Sequence, residues 1–157
     1  MTRSIIGLAI SVGICFAAAG IGSLFTTPAI GGWYASLNKP AWNPPNRVFG
    51  PVWSLLYLMM AIAAWLVWRR AGAAPVVLPL TLFGLQLAAN VLWSVLFFGL
   101  KMPGAAFGDI VVLWCLILAT CITFWWISPL AGVLLLPYLG WVTFASALNF
   151  AIWRMNR

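Results

Sequence analysis

Histidine is absent from this chain, and Asp109 is its single acidic residue. Lack of His removes the commonest proton switch and the usual axial ligand of haem iron. With one carboxyl and no ligating cluster, general acid–base, activated-nucleophile and metal-ion catalysis have no obvious participants. Coupled pumping is disfavoured by the same poverty, because Asp109 alone is available to relay a proton. The cysteines, Cys15, Cys115 and Cys121, show no CxxC spacing and read as small buried hydrophobes. Charged residues make up only 6% of the chain. The eight Lys and Arg behind its formal charge of +7 are scattered rather than gathered into a stripe, which speaks against a nucleic-acid partner.

What the chain has in abundance is apolar surface. At 65% hydrophobic residues and a mean hydropathy of +1.09, a water-soluble fold would lack the polar side chains to cover itself. The sequence reads as an all-α integral membrane protein, a single domain over residues 1–157. Five apolar runs are each long enough to cross the hydrocarbon as a helix. The first covers 4–26, too long for a signal-peptide core and without a clear cleavage segment, with Pro28 expected to end it. The second opens at Gly50 and Pro51 and reaches Trp68. The third spans 76–98, the fourth 105–127 and the fifth 130–153. Five spans show no plain repeat of the kind alternating-access carriers use.

The longest interruption, residues 27–46, carries Trp33, Tyr34 and Trp42 among its prolines and asparagines. Pro40, Pro44 and Pro45 disfavour a regular helix and hold the residues before them extended. Two readings stand: a stiff aromatic cover over the bundle, or Trp and Tyr anchors at the headgroups. Five spans put Arg3, Arg69 and Arg70 on one side and Lys39, Arg47, Lys101, Arg154 and Arg157 on the other. The surplus favours an outside N-terminus, with the 27–46 loop and the C-terminus cytoplasmic.

Polar residues inside the spans point inward. Gln86, Asn90, Trp93 and Phe97 share one helical face, and lipid exposure of Gln and Asn is costly. The fifth run sets Tyr138, Trp141, Ala145, Leu148 and Ile152 on one face, and the second pairs Trp53 with Tyr57. These faces can enclose a ring-lined slot for an apolar, partly polar guest, or simply form an aromatic core tied by amides. Eleven Trp favour the slot, since indoles demand packing or a partner for the N–H. Gly84 and Ala88 lie opposite Gln86 and Asn90, a small-xxx-small pair suited to a homodimer contact. The small residues of the first run and the Gly104/Gly108 pair are competing interfaces.

The segments W-Y-A-S-L-N-K-P-A-W-N-P-P (33–45), V-W-S-L-L-Y (52–57), Q-L-A-A-N-V-L-W (86–93), P-Y-L-G-W (137–141) and A-L-N-F-A-I-W (147–153) resemble, in order, those of the translocator protein family. Its members are also called tryptophan-rich sensory proteins or peripheral benzodiazepine receptors. The resemblance implies a dimeric five-helix membrane bundle whose pocket, beneath the first loop, takes porphyrins such as protoporphyrin IX, with haem a further guest, and benzodiazepine-type ligands. It carries the pocket onto Trp42, Trp53, Asn90, Trp93, Trp141, Ala145, Leu148 and Phe150, beside the Tyr57 and Gln86 chosen from periodicity. Porphyrin propionates would lie near Lys39 and Arg47. Trp53 and Trp141 match indoles linked to light-dependent porphyrin breakdown in some members, which makes them the candidate catalytic pair. Three functions follow: porphyrin receptor or transport protein, porphyrin-degrading enzyme, or partner-regulating membrane protein without turnover. No bound cofactor is implied. The cholesterol pattern of mitochondrial relatives fails here, where Phe150 replaces its Tyr between Leu148 and Arg154. Short length without a targeting extension resembles bacterial members.

Overall fold

The computed structural model describes all 157 residues. Helix α1 covers Thr2–Ile30, α2 is a single turn at Trp33–Ser36, and α3 covers Asn46–Trp68. Helix α4 covers Val77–Ser94 and continues as a π-helical turn, Val95–Gly99. Helices α5, Pro103–Ile127, and α6, Pro129–Met155, complete the chain. The five long helices are each apolar enough to span a bilayer, so the protein is a multi-pass, all-α membrane protein. Neighbours run α1–α3–α6–α5–α4 and back to α1 in a closed ring.

The helix ends correct several expectations. Pro28 does not end the first span but lies inside its last turn. The donor it lacks costs one intrahelical bond, to the Leu24 carbonyl, a loss that membrane helices tolerate. The break comes at Gly31–Gly32 instead. Helix α3 begins at Asn46, before Gly50, because extended Pro45 caps it and Val48 N–H already bonds the Pro45 carbonyl. Pro51 is therefore interior. Pro103 and Pro129 start α5 and α6, where the missing donor would have had no partner. Cys15 and Cys121 are buried as expected, but Cys115 is exposed on α5. A thiol is apolar enough to face lipid.

Packing is tight at one end and open at the other. Ser11 Oγ donates to the Ala61 carbonyl (2.7 Å) and Trp65 Nε1 to the Ser4 carbonyl (2.8 Å). Gly7 lies so close under the Trp68 ring that a Cβ there would collide with it. Ala61, Ala63 and Ala64 are buried in the same region, their small size permitting backbone approach. Farther along, α1 leans on α4 rather than α3, with Gly22 against Ser94 and Phe25 against Gly99. The core proper lies between α3, α4, α5 and α6, where Phe83 stacks on Phe124 at 5.8 Å and Met60, Leu113, Ile117 and Leu135 are fully enclosed.

Residues 31–45 fold onto the open end. Tyr34 is buried against Phe97 and Phe98 and donates its hydroxyl to Asn43 Oδ1 at 2.9 Å. Burial pushes the Tyr34 phenol above its ordinary pKa, with the Asn43 bond acting in the other direction. The Asn156 side chain pairs with the backbone of Asn38, accepting from its N–H and donating to its carbonyl, both at 2.9 Å. The segment is thus fastened to the last turn of α6.

Candidate functional site

A cavity of about 590 Å³ lies beneath this cover, within the usual size range of small-molecule sites. Helices α1, α3, α4 and α6 supply nearly all its wall, Tyr34 of α2 closes one end, and α5 contributes nothing. Asp109 sits on α5 with Oδ2 buried and unpartnered, away from the cavity lining.

Helix α3 presents Trp53 and Tyr57 one turn apart, as their spacing requires. Helix α6 presents Trp141, Ala145 and Leu148. Trp53 and Trp141 meet edge to face, their rings 6.5 Å apart at 90°. Phe49 packs edge-on to Trp141 at 6.0 Å. The Trp141 indole N–H is buried without a partner, a donor that an acceptor on a guest would relieve after a small shift. The π turn of α4 follows Asn90, Trp93 and Ser94 and adds Phe97 and Phe98 to the same wall. Such turns recur at functional sites because they re-aim side chains by a residue.

Beneath the aromatic wall runs a buried polar chain. Tyr57 donates to Asn90 Oδ1 (3.3 Å), Asn90 Nδ2 to the Tyr138 hydroxyl (2.6 Å), and Tyr138 to Gln86 Oε1 (2.8 Å). Gln86 Nε2 ends it against Met60 Sδ at 3.6 Å. Trp93 Nε1 donates to Asn149 Oδ1 (2.9 Å), and Asn149 Nδ2 to the Pro103 carbonyl (2.8 Å), tying α4, α5 and α6 together.

Seven of the ten residues expected at the site therefore line the cavity: Trp53, Tyr57, Asn90, Trp93, Trp141, Ala145 and Leu148. Three do not. Gln86 is fully buried behind Tyr138 and does not line the cavity. Trp42 is half exposed at the outer end, edge-on to Phe144. Phe150 points to the outside of α6, in an aromatic cluster with Phe107 and Trp153, because only positions 145, 148, 149 and 152 of that stretch face inward. Lys39 also departs from expectation. Its Nζ donates to the carbonyls of Tyr34, Ala35 and Leu37 and lies 5.0 Å from the Tyr34 ring, so the ammonium is engaged by the loop itself. Arg47 remains exposed. The α1 contribution was missed, including Phe16, Gly20, Ser23 and Thr27; its small residues read as helix packing. Asn149 was missed as well, although the cost of an amide in an apolar helix, the signal used for Asn90, would have found it.

A closed ring of five spanning helices around an aromatic cavity, covered by one extramembrane loop, defines a class of small multi-pass membrane proteins. The TspO/MBR family pattern matches residues 11–154, and the chain belongs to that family. It is 42% identical to the tryptophan-rich protein TspO of Chlorobaculum tepidum over 99% of both chains. It is 44% identical to the protein of the same name in Archaeoglobus fulgidus, over 86% of this chain and 87% of that one. Similarity extends to the human translocator protein, at 43% over 79% of this chain and 75% of the relative.

Proposed function

We propose that this protein is a membrane receptor or transport protein that binds porphyrin, and other flat apolar aromatics of benzodiazepine type, in the covered cavity. The observation that carries the reading is the wall itself, where Trp53, Trp93 and Trp141 surround a void of about 590 Å³ floored by hydrogen-bonded amides and phenols. Flat rings bury large area against indoles, and a few fixed polar groups orient them. Porphyrin carboxylates would lie toward the loop end, where Arg47 is exposed. Titration of protoporphyrin IX by tryptophan quenching is expected to give micromolar affinity, about 8 kcal/mol. Trp141→Phe and Asn90→Ala are expected to weaken it; unchanged affinity in both would remove them from the site.

A second reading, light-dependent degradation of the bound porphyrin, is favoured by the orthogonal contact of Trp53 and Trp141 on the cavity wall. Under illumination at equal occupancy, porphyrin should disappear faster in the native protein than in either Trp→Phe variant. Mass analysis must reveal a discrete product, since bleaching without one would reduce the indoles to pocket walls.

Assembly and orientation complete the proposal. Gly84 and Ala88 are exposed on the face of α4 away from the cavity, where a homodimer partner is expected to pack. Arg3 and Arg69 lie at one end, over Trp68 and Trp65, while the loop and Asn156 lie at the other. The richer basic end is assigned to the cytoplasm of a bacterial-type membrane, with the N-terminus outside.

A further inference from the structure

The direction of the buried polar chain is set at its far end. Met60 is wholly enclosed, and its thioether, which has lone pairs and no hydrogen, can only accept. Of the two ends of the Gln86 amide it is therefore the NH₂ that faces Sδ, at 3.6 Å, and Oε1 that turns to Tyr138. The single Tyr138 hydroxyl hydrogen goes to that oxygen at 2.8 Å. Asn90 must then supply the hydrogen in the 2.6 Å contact with Tyr138, from Nδ2. Asn90 Oδ1 is left facing Tyr57 at 3.3 Å, and the Tyr57 hydroxyl hydrogen is committed to it.

Reversal would flip both amides. Gln86 Oε1 would then face a sulfur that cannot donate, and a buried acceptor without a partner is costly. Only Tyr57 and Asn90 of this chain lie on the cavity wall. Asn90 keeps a second amide N–H whichever way the chain runs, so it does not distinguish the two directions. Tyr57 does: in the observed direction its oxygen can meet the cavity only with lone pairs.

We propose that Tyr57 Oη acts as a fixed hydrogen-bond acceptor at the cavity floor, and that Gln86 and Met60, which a guest does not touch, hold it in that role. The site would accordingly select flat aromatic guests that carry an N–H or O–H donor over guests of the same outline that lack one. This specificity rests on the reading that the cavity takes flat aromatics. The sequence spacing supports a built device, since Gln86 and Asn90, four apart on α4, both bond Tyr138, while Tyr57 and Met60, three apart on α3, close the two ends of the chain.

Carbazole and dibenzofuran test it, because they share an outline and differ in a ring N–H against a ring oxygen. Their affinities are measured by equilibrium dialysis in one detergent, with protoporphyrin IX as a third probe. The carbazole-to-dibenzofuran ratio is then compared between proteins, which cancels partition into the micelle. Tyr57→Phe is expected to lower that ratio about fivefold, the worth of one hydrogen bond. Gln86→Leu and Met60→Leu, which leave the Tyr57 hydroxyl in place but release the direction of the chain, are expected to lower it as well. A general loosening of the fold would weaken both probes alike and leave the ratio unmoved. An unchanged ratio in Tyr57→Phe overturns the acceptor role. A ratio lost in Tyr57→Phe but kept in both Gln86→Leu and Met60→Leu overturns the control of direction. If neither carbazole, dibenzofuran nor protoporphyrin binds the native protein, the cavity reading itself falls and takes this inference with it.

Discussion

Removing the Tyr138 hydroxyl, by Tyr138→Phe, should destabilise the bundle while leaving its shape almost unchanged. The ring stays, at an essentially fully buried position, so no cavity of consequence opens. Two interhelical hydrogen bonds disappear, the 2.6 Å bond from Asn90 and the 2.8 Å bond to Gln86. Each leaves a buried amide atom with one partner fewer. In lipid such bonds average about 0.6 kcal/mol and reach about 1.7, while orphaned buried groups cost about 1–3 kcal/mol in water-soluble cores. Two short, enclosed bonds therefore amount to about 2 kcal/mol. For a chain of this size that corresponds to a fall of about 4–8 °C in unfolding temperature. Thermal unfolding in detergent, followed by a thiol-reactive dye that reports exposure of Cys15 and Cys121, measures it. Tyr57→Phe supplies the internal scale: it removes one longer bond, at 3.3 Å, and should shift the midpoint by less than half as much. A Tyr138→Phe midpoint within about 1 °C of native would refute the idea that these amides hold the helices together.

Lys39→Ala strips three carbonyls of their shared donor and should speed limited proteolysis within 31–45 about tenfold, equivalent to about 1.4 kcal/mol of local opening; an unchanged cleavage rate would mean that the ammonium does not brace the loop. Gly84→Leu with Ala88→Leu should dissociate a homodimer without weakening porphyrin binding, because nothing within the protomer lies within 4 Å of a Cβ at Gly84. Crosslinking in native membranes followed by mass measurement decides it, and an undiminished dimer would move the interface to α1 or to Gly104 and Gly108. Phe150→Ala should leave porphyrin affinity within about twofold of native in the quenching titration, since its ring faces away from the cavity.

The bundle was readable from composition and run length because lipid demands satisfied backbone over about 20 apolar residues, a requirement that leaves little ambiguity. The inward face of α4 was readable for a related reason, as Asn and Gln in an apolar helix must turn away from lipid, and those of α3 and α6 were readable from the helical spacing of their rings. Helix ends were less so. Pro28 and Pro51 read as boundaries by their local chemistry, yet α1 runs on to Ile30 with a single bond missing and α3 starts earlier, from extended Pro45. Phe150 and Trp42 came from resemblance, which transfers a neighbourhood more safely than a side-chain direction. Lys39 shows the opposite failure: a basic residue in a loop suggests a free charge, and only coordinates reveal that three carbonyls have claimed it. The π turn after Ser94 had no sequence signal at all, since it depends on how Leu100 and Met102 close back on Val95 and Leu96.

Helix α1 is pinned to α3 by hydrogen bonds at Ser4 and Ser11 and by the Gly7–Trp68 contact, whereas it meets α4 where the cavity begins through van der Waals contacts, Gly22 against Ser94 and Phe25 against Gly99. From Gly7 to Gly22 is a lever of about 22 Å, so a tilt of roughly 5° about that pivot displaces the side wall by about 2 Å. It follows that the chamber can widen or narrow by swinging one strut, while the stacked core of α3 to α6 stays unstrained. Guests of unequal thickness would then be accommodated by movement of α1, and any breadth of binding would be a property of that hinge rather than of the cavity lining.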